Sequence, residues 1–299
     1  MTSILVLGKS GMLGSMLDLY FRKKNEYDVF STHRYQEDKE NRIFHFDASK
    51  DLVLLKKNIE DYKIDYIINC IGIIKPYCKD DDPKGKKDAI LINSLFPQNL
   101  VTITEKSKSK LIQIATDCVY SGKVGCYSES RLHDPLDVYG KTKSLGEVYH
   151  GNVLNLRTSI IGPEIRGKLS LFEWFINQPE EVELKGFTHH RWNGMTTLQF
   201  AEICDEIINN SIFEELVDRS RIWHCVKNES VNKYQLLKNI AEVFQKNVKI
   251  KSVDNIGPSV DRTLSSEIDD WPYHYETLDI KESLIRMKKF IEREGYYSR

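Results

Sequence analysis

The stretch that most restricts the fold comes first: Ile4-Leu-Val-Leu7, then Gly8-Lys-Ser-Gly11-Met-Leu-Gly14, then the helical spacing of Met16, Leu17, Leu19 and Tyr20. A short apolar run rich in strand formers passes through a glycine turn into a helix. Glycines permit positive φ and close backbone approach, while the helix start behind them offers free N–H groups and partial positive charge to a pyrophosphate. Three glycines alone are weak evidence, but strand before and helix after is the context that dinucleotide binding requires. The expectation is an α/β chain with a Rossmann-type, doubly wound parallel sheet, and Gly8, Lys9, Ser10, Gly11, Met12, Leu13 and Gly14 as its cofactor cradle.

The second strand, near 27–32, ends in His33-Arg34, where an NAD-preferring fold usually carries an acid for the ribose hydroxyls. With no acid at 33–35, Arg34 is free to pair with a 2′-phosphate, so NADPH is favoured and NADH is the second option. A third strand at 43–46 leads to Asp47, in position to meet the adenine. Residues 65–71 read as a buried parallel strand, and Cys70, Ile71 and Gly72 at its end add another edge of the cofactor site. The segment 75–88, charged and holding two prolines, reads as a mobile loop outside the core. Its three acids near Cys78 read as solvated charge rather than a metal site. A long helix over 88–107 carries Pro97 and Asn93, the latter expected on the cofactor, and a strand at 110–115 delivers Thr116 to its carboxyl end, where ligands bind in open parallel sheets.

Tyr139 and Lys143 stand one helical turn apart, so they share a face. A neighbouring cation lowers a phenol pKa, and such a pair can act as a general acid toward a carbonyl. A strand at 152–157 follows, and 161–164 marks the exit from regular alternation. Beyond a short helix at 169–177, Phe187, His189, His190, Arg191, Trp192 and Asn193 can stack on or hydrogen-bond a polar ligand. Then come a helix at 197–209, a strand at 222–226, a helix at 232–245, a strand at 248–253, a polar loop at 261–266 and a last helix at 280–292.

At 299 residues the chain fits one large α/β unit or two domains. The expected division is 1–162 for cofactor and 163–299 for substrate, with 196–226 returning to the first unit. A formal net charge of −1 gives no electrostatic reason to expect nucleic acid or an anionic membrane as partner. Six cysteines at irregular spacing suit neither a disulfide framework nor zinc. No apolar run approaches membrane-spanning length, and the start shows no leader pattern, so a cytoplasmic enzyme is expected.

With these residues in place, the chain resembles the extended short-chain dehydrogenase/reductases, and among them the dTDP-4-dehydrorhamnose reductase family. The opening glycine motif with Lys9, Asn93 with Pro97 and Leu100, Thr116-Asp117, Tyr139-Gly-Lys-Thr-Lys143 with Gly146-Glu147, Leu156-Arg-Thr-Ser159, and Arg262 with Ser266 all fall in that family's order. The resemblance implies a Rossmann domain with a smaller mixed α/β substrate domain, NADPH as cofactor, and a nucleotide-linked 4-keto-6-deoxy sugar of surface-polysaccharide synthesis as substrate. It assigns Tyr139 as proton donor, Lys143 to its pKa and the nicotinamide ribose, and Thr116 to the carbonyl oxygen. Lys75, Thr116, Cys118, Arg157, His189, Trp192, Asn193 and Arg262 fall on the substrate side. Relatives dimerise, which leaves a homodimer open. Cys118 is a departure, since rhamnose reductases usually carry an aromatic residue there. GDP-fucose synthase is similar to this chain in having cysteine, paired with a histidine. An alternative is therefore a bifunctional 3,5-epimerase/4-reductase using Cys118 with His189 or His190; another is a non-catalytic NADPH-binding regulatory subunit.

Overall fold

The computed structural model describes residues 1–35, 38, 42–226, 228–254, 256–268 and 278–298. The first half alternates strand and helix: β1 (Thr2–Leu7), α1 (Met12–Arg22), β2 (Tyr27–His33), β3 (Ile43–His45), α2 (Leu52–Asp61), β4 (Tyr66–Asn69), α3 (Pro83–Ala89), α4 (Phe96–Ser107), β5 (Lys110–Thr116), α5 (Val138–Leu145) and β6 (Val153–Thr158). The second half is more irregular. It runs β7 (Ile160–Ile161), α6 (Leu171–Ile176), β8 (Glu183–Phe187), β9 (His190–Trp192), β10 (Met195–Thr196), α7 (Thr197–Asn209), α8 (Phe213–Arg219), β11 (Ile222–His224), β12 (Val231–Asn232), α9 (Lys233–Val243), β13 (Lys249–Val253), β14 (Val260–Asp261) and α10 (Ile280–Arg293).

Seven strands form one parallel sheet in the order β3-β2-β1-β4-β5-β6-β11. Parallel neighbours and helices on both faces bury the central strands completely, which is why Ile4–Leu7 and Tyr66–Asn69 read as continuous apolar runs. One apolar cluster beneath α1, α7 and α10 includes Met16, Phe200, Ile207 and Leu284; a second, on the other face, includes Phe30, Leu55, Phe96 and Val101. The order reverses between β1 and β4, and a crevice opens there at the carboxyl ends. Residues 222–224 return to this sheet, while smaller ladders, β12-β9-β14 and β13-β8, lie in the second half.

The segment 75–88 differs from the expected mobile loop. It holds a 3-10 turn at Lys75–Tyr77, a buried Cys78, and α3, which starts with Pro83 at its first position. Asp82 caps this helix, its carboxylate accepting from the Lys84 N–H at 3.0 Å. An aspartate cap followed by proline is a helix start, and charge on the solvent face masked it. The expected helix at 88–107 therefore begins at Pro83 and passes through a π-helical stretch, Ile90–Leu95. Among the described residues, no helix is long and apolar enough to cross a membrane.

Candidate active site

The glycine turn is built as the cradle requires. Gly8 has φ +82°, and a Cβ at Gly14 would run into the Gly8 carbonyl oxygen, so α1 can approach the turn only with glycine there. Thr32 clamps the turn from β2: its hydroxyl accepts from the Gly8 N–H at 2.9 Å and its carbonyl from Lys9 N–H at 3.0 Å. Helix α1 begins after Gly11, so the N–H groups of Met12, Leu13 and Gly14 have no carbonyl one turn back within the helix. The Leu13 side chain itself is core. A cleft of about 260 Å³ runs past Gly8, Ser10, Gly11, Thr32, Arg34, Cys70, Ile71 and Gly72. Asp47 lies beyond it; burial is outweighed by hydrogen bonds from Ser49, with Arg34 adding to them, so its carboxyl stays below the usual range.

Asn93, expected on the cofactor, instead joins protein to protein. Its amide donates to the Ile73 carbonyl at 2.9 Å and the Thr142 hydroxyl at 3.1 Å, while its oxygen accepts from the Ile73 N–H at 2.8 Å. Both of its N–H donors are used, so it aligns the end of β4 with α5. The π-helical stretch carries it there.

Helix α5 is pressed against the turn after β5. A Cβ at Gly140 would collide with the Cys118 carbonyl oxygen. The Asp137 cap accepts from the Gly140 N–H at 2.8 Å and from Lys75 Nζ at 2.7 Å. Tyr139 thereby stands beside Thr116, with Lys75 Nζ 5.8 Å from its ring centre. The expectation that Lys143 lowers the phenol pKa does not hold in this geometry. Burial dominates and pushes Tyr139 well above the ordinary tyrosine value, with Cys118 adding to it and Thr116 opposing. The Lys143 ammonium donates to the Ile114 carbonyl at 2.7 Å, and burial draws its pKa down to about 8. The phenol thus holds its proton at neutral pH, which is the form a donor needs.

Several residues expected on the substrate are used otherwise. Arg157 is wholly buried: it grips Glu147 with two bonds of 3.0 and 2.7 Å and also reaches Tyr120, His133 and His224. Asn193 exchanges both of its amide groups with the backbone of Leu264, at 2.8 and 3.0 Å. Trp192 is buried, its indole N–H donating to Ser159 at 2.8 Å. His189 turns to the Ile256 carbonyl at 3.3 Å. Arg157 and Trp192 thus serve the walls of the site, because a buried polar group must be satisfied within the protein, while Asn193 and His189 are half-buried and hold backbone carbonyls of neighbouring loops.

Others do converge. Lys75 and Arg262 both act on Cys118, although burial and Asp117 prevail and push its thiol up to about 12. Arg262 also donates to the Tyr120 carbonyl at 3.0 Å. Sequence reading missed Lys233, the first residue of α9. Burial lowers its pKa against the pull of Asp117 and Cys118, with Arg262 nearby. Its one signal was the capping box Asn232-x-x-Gln235, which fixes where α9 starts. His190 shares Lys233 and Arg262 as neighbours.

A doubly wound parallel sheet with a glycine cradle, and a Thr-Tyr-Lys constellation at the next strand ends, defines the chain as an extended short-chain dehydrogenase/reductase. More particularly, it belongs to the family described as the RmlD substrate binding domain, which matches residues 1–269. Methionine adenosyltransferase 2 subunit beta of Xenopus tropicalis is 26% identical over 253 residues, spanning 80% of this chain and 71% of the relative. dTDP-4-dehydrorhamnose reductase of Aggregatibacter actinomycetemcomitans is 29% identical over 149 residues, spanning 49% of this chain and 46% of the relative. Among solved structures, the dTDP-4-dehydrorhamnose reductase of Bacillus anthracis in complex with NADP aligns with a TM-score of 0.77 at 20% identity, covering 98% of this chain and 100% of that one.

Proposed function

We propose that the protein is an NADPH-dependent reductase of the C4 ketone of a nucleotide-linked 4-keto-6-deoxy sugar. The observation that carries this reading is Tyr139, its phenol kept protonated by burial, standing with Thr116 on α5 and the end of β5, in a fold whose β1–α1 turn is a glycine cradle. The cradle suits a dinucleotide, because its closeness depends on the missing Cβ of Gly14 and its helix start presents unpaired N–H groups. NADPH bound there supplies the hydride. Tyr139 gives its proton to the ketone oxygen, and the Thr116 hydroxyl, which donates to the Asp117 carboxylate at 3.1 Å in this structure, turns to the same atom as charge grows on it. Lys143 ties α5 to β5 and so fixes the phenol's position. Lys75, Lys233 and Arg262 give the substrate side a cationic lining suited to a sugar diphosphate.

Residues 1–162, with 196–226, form the cofactor unit, and the rest of 163–299 the substrate unit. Exposed Leu95 and Leu145, on neighbouring helices joined by the Gln98–Leu145 hydrogen bond, favour a homodimer. The epimerase alternative is disfavoured by Cys118, whose raised pKa makes a thiolate base scarce at neutral pH. The regulatory-subunit reading draws on the methionine adenosyltransferase relatives, but a subunit without catalysis has no need of a buried proton donor beside Thr116. Incubation with NADPH and a panel of dTDP-, UDP- and GDP-linked 4-keto-6-deoxy sugars, with products identified by NMR, tests the proposal. Reduction of one sugar at C4 is expected; binding of NADPH without reduction of any would favour the regulatory reading.

A further inference from the structure

The loop after β7 brings a residue of the second half of the chain back to the glycine-turn cleft. Its base is held by buried groups. The Tyr296 hydroxyl donates to the Pro163 carbonyl at 2.9 Å and meets the Ser15 hydroxyl of α1 at 2.5 Å. The Glu164 carboxylate accepts from the N–H groups of Leu169 and Ser170 at 2.7 and 3.1 Å, closing the loop on itself. Glu173, almost fully buried, takes the Glu164 N–H at 3.0 Å and the Tyr297 hydroxyl at 2.6 Å. A rigid base thus carries an exposed tip, and at the tip is Arg166.

Arg166 lines the cleft of Gly8, Ser10, Gly11 and Arg34, and also a second recess of about 160 Å³ shared with Lys9, Ser10, Ser15, Asp18 and His33. Its guanidinium and the Lys9 ammonium both bear on the His33 ring, which burial already keeps neutral. Lys9 is in turn held 3.4 Å from the buried Asp18 of α1, which Arg22 also pairs at 2.7 Å. Among the described residues no carboxylate lies within ion-pair distance of Arg166. Three cations, Lys9, Arg34 and Arg166, therefore surround the carboxyl end of β2, each from a different segment. That end is where a dinucleotide's adenosine ribose lies in this fold.

We infer that Arg166 is a cofactor-specificity residue, a strap over the cleft that grips the 2′-phosphate of NADPH together with Lys9 and Arg34. The inference rests on the NADPH reading above. A planar guanidinium suits a phosphate monoester because it offers parallel donors. The segment after β7 thereby adds to Arg34 at the end of β2 a second arginine for the phosphorylated cofactor.

Titration calorimetry of the whole protein with NADPH, NADH and 2′,5′-ADP tests this without turnover. Arg166→Ala should weaken NADPH and 2′,5′-ADP about tenfold or more, the worth of one hydrogen-bonded charge contact, and leave NADH within about twofold. Retained NADH affinity also reports an intact cradle, and Arg166→Lys should recover part of the loss. Equal losses for NADPH and NADH, or no loss for either, would overturn the inference while leaving the cofactor reading in place. Wild-type protein that binds neither nucleotide would overturn the cofactor reading and the strap with it.

Discussion

Replacing Arg157 by methionine should cost this protein a large fraction of its stability. The guanidinium is wholly buried, and every direction it offers is taken: Glu147 at 3.0 and 2.7 Å, Tyr120 at 2.7 Å, His224 at 2.6 Å and His133 at 2.8 Å. Guanidinium only donates, so both imidazoles must accept through Nε2, which leaves their Nδ1–H groups for Ser265 and Ser144 at 2.7 Å each. Methionine would strand the Glu147 carboxylate with little beyond the Tyr149 hydroxyl at 2.6 Å. Breaking a buried pair from one side costs about 3–5 kcal/mol, against a total of about 5–15 kcal/mol for a typical domain. Glu147→Gln should cost a similar amount by stranding the guanidinium. Removing both, Arg157→Met with Glu147→Leu, should recover part of the loss, because two apolar groups leave no buried charge. Urea unfolding followed by circular dichroism, with linear extrapolation, measures each corner of the cycle. Single-variant costs below about 1 kcal/mol, the range of an exposed ion pair, or strict additivity in the double variant, would refute the reasoning.

Other consequences can be checked in parallel. Burial pulls the His224 pKa down to about 4, with Arg157 adding to it, and lowers that of His133 as well. Unfolded imidazoles take up protons below about pH 6.5, so the stability these rings contribute is present above that pH and lost as pH falls toward about 4. Melting temperature should fall across that window, and His224→Gln should flatten the fall; an unchanged profile would contradict it. Two glycines of the turn should separate: Gly14→Ala forces a Cβ into the Gly8 carbonyl, at a cost of about 1–3 kcal/mol. Gly11→Ala finds its nearest neighbour at 3.6 Å, an ordinary contact, so it should keep stability and lose cofactor affinity only. Equal melting temperatures for the two variants would argue against so close an approach of helix and turn.

What the sequence made legible was local. The glycine cradle, the buried strands and the Tyr139–Lys143 spacing each depend on residues within one or two turns of one another, where φ preference, periodicity and capping act directly. Arg157 was misread as a ligand contact because its partners lie 10 to 67 residues away, and nothing in Asn155-Leu-Arg157 distinguishes a buried guanidinium from one facing a ligand. Asn193 and Trp192 failed for the same reason: polar groups able to bind a ligand are equally able to tie loops together. Lys233 and Arg166 escaped notice because the capping box before α9 marks a helix start and not a site, and the loop of Arg166 carries no motif; tertiary packing of α9 and the Tyr296 brace bring them to the site. The lysine effect on Tyr139 was inferred from helical spacing, but spacing says nothing about how deeply the phenol is buried.

The central claim is that Tyr139 donates a proton to a sugar ketone beside bound NADPH. The most direct measurement is single-turnover NADPH oxidation with a nucleotide-linked 4-keto-6-deoxy sugar, in wild type and in Tyr139→Phe, with NADPH affinity measured on both. The account predicts rapid oxidation by wild type, a loss of about 10²-fold or more in the variant, and nearly equal affinity for the cofactor. Turnover near the wild-type rate in Tyr139→Phe, or a wild type that binds NADPH tightly and reduces no 4-keto sugar, would contradict it.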